Sequence, residues 1–372
     1  MKNPFYYGGV VSKEYFCNRK QEIKELKKDV LNGINLLIYA PRRFGKTSLV
    51  MHTLNQLKEE KGLKFVFVDL MGISSKEEFI NEYFNAVAQS LEEPIDKVIN
   101  FFKKVLKFKP TIKAVVDEYG QTKFYLEFTP EKTIETLEEV LDLPFIYAKK
   151  GRKICVVFDE FQEIETLDIE NKLRAKIQHH SNLLSYLFMG SKKSILKKMF
   201  HDKSRAFYKS VKHFQIKEIS EKEWIKFIKD KFKKTDKEID TEFIKNIISI
   251  TKGFPYYTQQ FAYELWEITE KKVKEDAFIK ALNLIMQREE DLFAVEWDNL
   301  TANQKKTLKL IIEKDGKHLY DEKLLAKYEL KVGSLRKTLQ ILMEKDIIDK
   351  IDDRYYIQDP LFEYWLRKKI YR

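Results

Sequence analysis

A short apolar segment, a glycine-containing loop and a helical pattern follow one another near the start of this chain, and this succession restricts the fold more than any other feature. The residues are Ile38-Tyr-Ala-Pro-Arg-Arg-Phe-Gly-Lys-Thr-Ser-Leu49. The pattern predicts a strand over 34–40, a loop over 41–45 and a helix from Lys46 to about Lys61. A strand, a loop and a helix in this order are the setting in which a Gly-Lys-Thr sequence binds phosphate groups.

The residue types in this loop suit a phosphate-bearing ligand. Backbone N–H groups around Gly45 and Lys46 would close on phosphate oxygens at the positive end of the helix dipole. Lys46 would reach the β- and γ-phosphates, and the Thr47 hydroxyl would bind Mg²⁺. The P-loop pattern G-x-x-x-x-G-K-[ST] begins with glycine where this chain has Ala40. Because alanine disfavours positive φ, we expect a slightly different loop entry. The residues predicted to contact the nucleotide here are Ala40, Pro41, Arg42, Arg43, Phe44, Gly45, Lys46, Thr47 and Ser48.

A second polar cluster follows more than a hundred residues downstream, where the apolar run Ile154-Cys-Val-Val-Phe158 ends in Asp159 and Glu160. Such a run is typical of a buried strand in a parallel sheet, and ligands of these sheets bind beyond the carboxyl ends of the strands. We expect Asp159 to hold Mg²⁺ through water and Glu160 to be the general base that polarises the attacking water. The next strand ends at Gly190-Ser191, where the Ser191 hydroxyl either senses the γ-phosphate or only closes a turn.

Changes of pattern divide the chain into three predicted domains. Apolar strands that alternate with amphipathic helices predict an open parallel α/β sheet over 1–217, with an inserted hairpin at 111–129. Four helical segments over 218–295 predict a small helical lid. Three helices and a short hairpin predict a winged helix-turn-helix over 296–372.

Composition excludes several classes of protein. Hydrophobic residues make up 44% of the chain and charged residues 34%, which is typical of a well-folded protein rather than a disordered one. No apolar stretch approaches the roughly 20 residues that cross a bilayer, so we expect no membrane partner and no signal peptide. The only two cysteines, Cys17 and Cys155, argue against a disulfide framework and favour a cytoplasmic location.

Other nucleotide and metal chemistries fit less well. The chain lacks the Asn-Lys-x-Asp sequence of guanine-binding proteins and the Leu-Ser-Gly-Gly-Gln signature of ABC-type ATPases, so adenine is the favoured base. His179 and His180 are adjacent and would point about 100° apart on a helix, and no further ligands complete a zinc site. These observations favour ATP and Mg²⁺ as the cofactors.

Several segments together resemble the archaeal-type ATPases of the STAND branch of AAA+-related P-loop proteins. The similarity lies in the P-loop from Pro41 to Ser48, in Asp159-Glu160-Phe-Gln162, and in Thr251-Lys-Gly253-Phe-Pro255-Tyr-Tyr257. The openings Asn3-Pro-Phe-Tyr-Tyr-Gly-Gly9 and Phe16-Cys-Asn-Arg19-Lys-Gln-Glu22-Ile, and the closing Asp359-Pro-Leu-Phe-Glu-Tyr-Trp-Leu366, are similar to family segments too.

The resemblance implies an AAA+-like fold and an ATP-dependent molecular switch that hydrolyses ATP slowly and passes the change to its C-terminal module. It places Arg19 at the adenine pocket and Pro255 in a lid motif that senses nucleotide, although Gly253-Phe-Pro255 also suits a plain break between two helices. Arg205 is the first candidate for an arginine finger, and Arg174 is the second. Alternatively, either residue is an ordinary surface arginine.

Nucleic acid is a second expected partner. The net charge is +11, but 58 of the 69 basic residues are lysines, which recognise phosphate less specifically than arginine. DNA binding would use residues 332–354, where Ser334, Arg336, Lys337 and Gln340 lie on the predicted recognition helix and Lys350 and Arg354 on the wing, among Asp349, Asp352 and Asp353. The alternatives are a DNA-binding regulator in which nucleotide is structural or regulatory, and a winged helix used only for protein contacts or autoinhibition. Self-association and a protein partner are further candidate interactions of the chain.

Overall fold

The described residues of the computed structural model form two compact units. The core unit contains Arg19–Ala40 and Lys46–Ile216, and the lid–wing unit contains Met1–Asn18, Pro41–Gly45 and Lys217–Arg372. The structure describes residues 1–11, 13–118, 120–149, 151–180, 182–191, 196, 199–351 and 353–370, so Asp352 of the predicted wing lies outside the described residues.

The core unit is built on a five-stranded parallel sheet. Its strands are β1 (Leu36–Tyr39), β2 (Lys64–Asp69), β5 (Ile154–Asp159), β6 (Leu184–Gly190) and β7 (Lys212–Gln215), arranged in the order β2-β5-β6-β1-β7. Strand β6 therefore separates β1 from β5, with Tyr39 opposite Gly190 and Phe158 opposite Phe188. All these strands run parallel, so the carboxyl ends of β1, β5 and β6 meet at one edge of the sheet.

Helices cover the sheet, and their apolar faces form the core. They are α1 (Lys20–Leu31), α2 (Lys46–Lys61), α3 (Lys76–Ser90), α4 (Ile95–Val105), α5 (Thr133–Ala148) and α6 (Glu170–His179). Phe79 and Tyr83 of α3 stack on Phe158, which also stacks on Phe188 in the neighbouring strand. All four side chains are fully buried, and each such burial contributes about 1.5–3 kcal/mol.

A two-stranded antiparallel hairpin is inserted between α4 and α5. It consists of β3 (Thr111–Val116) and β4 (Thr122–Glu127). Phe124 and Leu126 of β4 are buried members of the hydrophobic core. The hairpin is therefore part of the packed core unit.

The lid–wing unit is mainly helical within the described residues. It contains α7 (Glu221–Lys233), α8 (Thr241–Thr251), α9 (Pro255–Ile268), α10 (Glu275–Asp298), α11 (Ala302–Glu313), α12 (Glu322–Lys327), α13 (Val332–Glu344), β8 (Ile348–Ile351), β9 (Arg354–Ile357) and α14 (Pro360–Ile370). Ser220 caps α7 through a capping box with Glu223, and Thr301 caps α11 in the same way with Gln304. These reciprocal bonds satisfy backbone N–H groups that a helix start leaves open.

Some elements differ from those predicted. Strand β7 is not predicted, because Lys-His-Phe-Gln presents only Phe214 to the core. Helix α10 runs without a break through the predicted domain boundary at residues 295 and 296. No helix among the described residues has the length and apolarity that a membrane crossing requires.

Candidate functional site

The Asp159 carboxylate lies at the end of strand β5, at the edge of the sheet where the carboxyl ends of β1 and β6 also lie. Asp159 is the last residue of β5 and is mostly buried. The hydroxyl of Thr47, in the first turn of α2, donates a hydrogen bond of 2.8 Å to the Asp159 carboxylate. The structure thus brings the two predicted Mg²⁺ ligands together, although 112 residues separate them in the chain.

Glu160 follows in a left-handed conformation, with φ of 47°. This conformation ends the strand and is uncommon for a residue that carries a Cβ. The Glu160 carboxylate accepts a hydrogen bond of 2.5 Å from the Gln162 amide and one of 3.0 Å from the Ser191 hydroxyl. Neutral donors from Gln162 and Ser191, including the Ser191 backbone N–H, therefore hold the predicted general base in one orientation.

Burial and hydrogen bonding move the pKa values of the two acids in opposite directions. Burial raises the pKa of Asp159, and its bonds from Thr47 and from the Glu160 backbone offset this only in part. Burial also opposes ionisation of Glu160, but the bonds from Gln162 and Ser191 and the charge of Lys46 together lower its pKa. The Glu160 side chain is consequently an ionised hydrogen-bond acceptor at neutral pH.

Lys46 is the first residue of α2, and its side chain is mostly buried. Its ammonium group donates a hydrogen bond of 3.2 Å to the carbonyl oxygen of Ala40. A buried ammonium group is costly unless several acceptors surround it. Its place at the positive end of a 16-residue helix makes this end of α2 suited to anionic oxygens.

Gln162 and Gly190 are functional candidates to which the sequence analysis gives no role. A Cβ added at Gly190 would lie 2.3 Å from the Gln162 side-chain oxygen and 2.9 Å from Leu196 Cδ1, so a larger residue would require both side chains to shift. The Gln162 side-chain oxygen is buried and has no hydrogen-bond partner among the described residues. The position of Gln162, two residues after Glu160, was the sequence signal that could have indicated its role. Its contact with Gly190 could not be predicted, because that contact depends on the pairing of β5 with β6.

In the lid–wing unit, the loop residue Arg43 is held by a cluster of polar and aromatic groups. Its guanidinium donates a hydrogen bond of 2.7 Å to the Tyr257 hydroxyl and lies 3.5 Å from the Asp359 carboxylate. The Tyr257 hydroxyl in turn donates to Asp359. The guanidinium also lies 4.8 Å from the ring centroid of Tyr256, at a cation–π distance.

The neighbouring loop residues pack against the start of α9 in the same unit. Phe44 is buried and meets Phe254 edge to face, with ring centroids 5.1 Å apart. Gly45 adopts a φ of +84°, which favours glycine, and Pro255 lies beside it. Pro255 occupies the first turn of α9, where its missing N–H costs nothing.

The remaining predicted residues have other surroundings. Arg205, the predicted arginine finger, forms ion pairs with Glu165 and Glu170 and hydrogen-bonds to both.

The side chain of Arg19 is almost fully buried and lies 3.5 Å from the Glu22 carboxylate. The Arg42 guanidinium lies 4.0 Å from the Asp346 carboxylate. The Pro41 carbonyl accepts a hydrogen bond from Phe44, and Ser48 is buried in α2.

Helix α13, which is predicted to be the recognition helix, presents its polar face to solvent. Arg336 and Lys337 are exposed, and neither forms an ion pair with a described residue. Ser334 accepts a hydrogen bond from Asn303, and Gln340 donates one to Glu344. On the wing, Arg354 pairs with Asp315 and Lys350 lies 3.7 Å from Asp353.

A parallel sheet in this strand order, with a phosphate-loop sequence after β1 and an acidic pair at the end of β5, is typical of a P-loop NTPase fold. The family described as an ATPase domain predominantly from Archaea matches residues 16–261, and a probable winged helix domain matches residues 291–368. Since the first match covers more than half of the chain, this protein belongs to that archaeal ATPase family. The predicted α/β fold with a C-terminal winged helix is confirmed.

One relative of known sequence agrees with this assignment. An uncharacterized ATP-binding protein of Methanocaldococcus jannaschii is 26% identical over 161 residues, which are 41% of this chain and 39% of the relative. The matched part therefore spans about two fifths of that relative's length.

Among solved structures, the Walker-type ATPase of Pyrococcus abyssi is similar over 95% of this chain and 97% of its own, with a TM-score of 0.66 and 19% identity. The ORC2 protein of Aeropyrum pernix, in a structure of ADPNP and ADP complexes, is similar over 99% of this chain and 100% of its own, with a TM-score of 0.58 and 14% identity. The ORC1 protein of the same organism, solved in complex with DNA, covers 97% of this chain and 96% of its own, with a TM-score of 0.50 and 14% identity. At these identities the likeness supports the fold alone.

Proposed function

We propose that this protein is a Mg²⁺-dependent ATPase that works as a nucleotide-controlled switch. The observation that carries the proposal is the convergence of Lys46, Thr47, Asp159 and Glu160 at one edge of the parallel sheet. The family supports ATP as the nucleotide.

The loop from Ala40 to Ser48 would bind the phosphates. Backbone N–H groups at the start of α2 offer hydrogen bonds and a positive dipole end to anionic oxygens. Lys46 would exchange its bond to the Ala40 carbonyl for the β- and γ-phosphate oxygens. This exchange replaces a neutral acceptor with a charged one, and bonds to ionised acceptors are roughly twice as strong.

Thr47 and Asp159 fit Mg²⁺ because their oxygens lie 2.8 Å apart and are of the kind that this cation prefers. The chemistry that Mg²⁺ supplies when bound is neutralisation of charge on the phosphates. The two residues would position that charge, and Asp159 would then lose the hydrogen bond that Thr47 now donates.

Glu160 would accept the proton of the attacking water. The side-chain bonds from Gln162 and Ser191 both end on one of its carboxylate oxygens, Oε2, and the Ser191 backbone N–H also bonds to the carboxylate, so these groups would hold the base in place for the water. Ser191 would therefore orient Glu160 through its hydrogen bond, in addition to lying near the γ-phosphate. Arg205 remains the proposed arginine finger, and it would have to leave Glu165 and Glu170 to reach a nucleotide.

The contacts of Arg43 support the switch. Arg43 belongs to the loop that would bind phosphate. Its guanidinium forms an ion pair with Asp359 and donates a hydrogen bond to Tyr257, whose hydroxyl donates to Asp359. Asp359 also caps α14, because its carboxylate accepts bonds from the backbone of Leu361 and Phe362. A phosphate that attracts Arg43 would remove a partner of Asp359 Oδ2, the second oxygen of the carboxylate that forms this cap through Oδ1, and so act at the start of the last helix of the winged domain.

The test compares ATP binding and turnover of the unaltered protein, Glu160→Gln and Tyr257→Phe. We expect Glu160→Gln to bind Mg²⁺-ATP normally and to lose about 10²–10⁴-fold in kcat, since a general base contributes that much. Tyr257→Phe keeps the ring and removes the hydroxyl, so we expect hydrolysis to persist with a changed ATP affinity. Undiminished turnover in Glu160→Gln would refute the proposed base, and unchanged affinity in Tyr257→Phe would refute the coupling.

A second candidate function is DNA binding through α13. The exposed pair Arg336 and Lys337 favours it, and the similar ORC1 structure holds DNA. The carboxylates that pair with Arg354 and Lys350 oppose a tight wing contact. ATP turnover measured with and without duplex DNA separates a switch that DNA stimulates from one that works alone.

A further inference from the structure

The inserted hairpin has two edges, and only one of them is covered by a helix. On the β4 edge, the backbone N–H groups of Leu126 and Phe124 donate to the side-chain oxygens of Asn81 and Asn85, at 2.8 and 3.0 Å. Both asparagines belong to α3, one helical turn apart, so this helix satisfies the outer edge of β4.

These bonds fix the direction of the backbone groups on the opposite strand. Residues of an antiparallel pair alternate between positions that bond to the partner strand and positions that point away from it. Because Leu126 and Phe124 point away from β3, their opposite residues Ile112 and Ala114 point away from β4. The same holds for Val116, and the bond from Asp117 N–H to the Gln121 carbonyl agrees with this alternation.

The free edge of β3 therefore presents the N–H and C=O groups of Ile112, Ala114 and Val116. None of them forms a hydrogen bond with a residue in the described part of the chain. Val115 and Val116 are 50% and 60% exposed, and Tyr125 on the neighbouring strand is 38% exposed. Proteins normally protect such an edge with proline, charge or a covering element, and within β3 the one charged residue, Lys113, is neutralised by Glu127.

We propose that the free edge of β3 pairs with the same strand of a second copy of this chain, in antiparallel orientation about a two-fold axis at Ala114. Ala114 would then face Ala114 of the second copy, and Ile112 would face Val116 of the second copy. The outward groups at 112, 114 and 116 are symmetric about the axis, so each would meet a partner. The product is a continuous four-stranded sheet, β4-β3-β3-β4.

The side chains favour this occupant over an unrelated extended peptide. The smallest side chain lies at the axis, where the two copies approach each other, and the β-branched residues Ile112 and Val116 lie two positions away on either side of it. Lys113 would face Val115 of the second copy, so no two like charges stand directly opposite each other. A surface that is complementary to itself under two-fold rotation is what a homodimer requires.

The test places charges at the proposed axis and measures association by sedimentation velocity over a range of protein concentrations. We expect the unaltered protein to dimerise. Ala114→Lys alone and Ala114→Glu alone should each raise the dimer dissociation constant about tenfold or more, because like charges would meet at the axis. An equimolar mixture of the two variants should dimerise again, since lysine would then face glutamate.

The matched control is Glu59→Lys, a larger charge change at an exposed position in α2, outside the hairpin, which should leave dimerisation unchanged. A monomeric unaltered protein, a dimer insensitive to both axis variants, or a mixture that stays monomeric would overturn the proposal. ATP turnover does not enter these measurements, so the outcome is independent of the proposed function.

Discussion

The carboxyl edge of the parallel sheet and helix α13 both carry polar side chains, but the protein supports them in different ways. At the sheet edge, Lys46, Asp159 and Ser191 are at least nine-tenths buried and bonded. On α13, Arg336 and Lys337 lie in solvent with no ion pair among the described residues. Buried groups have fixed directions, so they can select one ligand geometry, whereas exposed cations can follow any phosphate backbone.

This difference predicts unequal sensitivity to substitution, and the largest effect is expected at Lys46. Lys46→Ala removes the charge at the start of α2, and we expect ATP turnover to fall about 10²-fold or more. Lys61→Ala is the matched control, because Lys61 ends the same helix and is exposed. Equal turnover in the two variants, measured by phosphate release, would mean that the buried site does not bind the nucleotide.

Glycine-to-alanine substitutions sharpen this comparison, because we expect opposite effects on stability at the sheet edge and on α13. Gly190→Ala would push the Gln162 amide away from Glu160. We expect kcat to fall about tenfold or more and stability to fall by about 1–3 kcal/mol. Gly333→Ala in α13 meets no atom within 4 Å and should raise stability by up to about 1 kcal/mol.

Urea denaturation of both variants checks the signs of these stability changes, and ATP turnover checks the effect on Glu160. A Gly190→Ala variant with normal stability and kcat would show that Gln162 is free to move without consequence.

The smallest effect is expected on α13. The double variant Arg336→Ala/Lys337→Ala should weaken duplex DNA binding several-fold at low salt. It should also reduce the slope of log affinity against log salt by about two, one unit for each lost phosphate contact. The control is Lys306→Ala/Lys327→Ala, because these lysines pair with Glu329 and Glu313. Fluorescence anisotropy across a salt series measures both, and an unchanged slope in the first variant would exclude α13 as the contact.

The elements that carry the site could be predicted from the sequence because their signals are local. Helix α2 runs from Lys46 to Lys61 as predicted, and the apolar run before Asp159 forms β5. Strand and helix patterns depend on residues a few positions apart, which the sequence displays directly.

Contacts between distant segments could not be predicted in this way. Gln162 reaches Gly190 only because β5 pairs with β6, and Arg43 reaches Tyr257 and Asp359 across 214 and 316 residues. Nothing in the residue types or their spacing indicates that these side chains contact each other. Strand β7 was missed for a related reason, since its neighbour β1 rather than its own residues keeps it in the sheet.

The bond between Arg43 and Asp359 has a practical consequence for dissecting the chain. A shortened protein that stops before residue 359 would keep every strand of the sheet, yet its phosphate loop would lose the carboxylate that positions Arg43. Altered nucleotide affinity in such a truncation would therefore report the missing anchor, and it would not by itself reveal a regulatory role for the deleted domain.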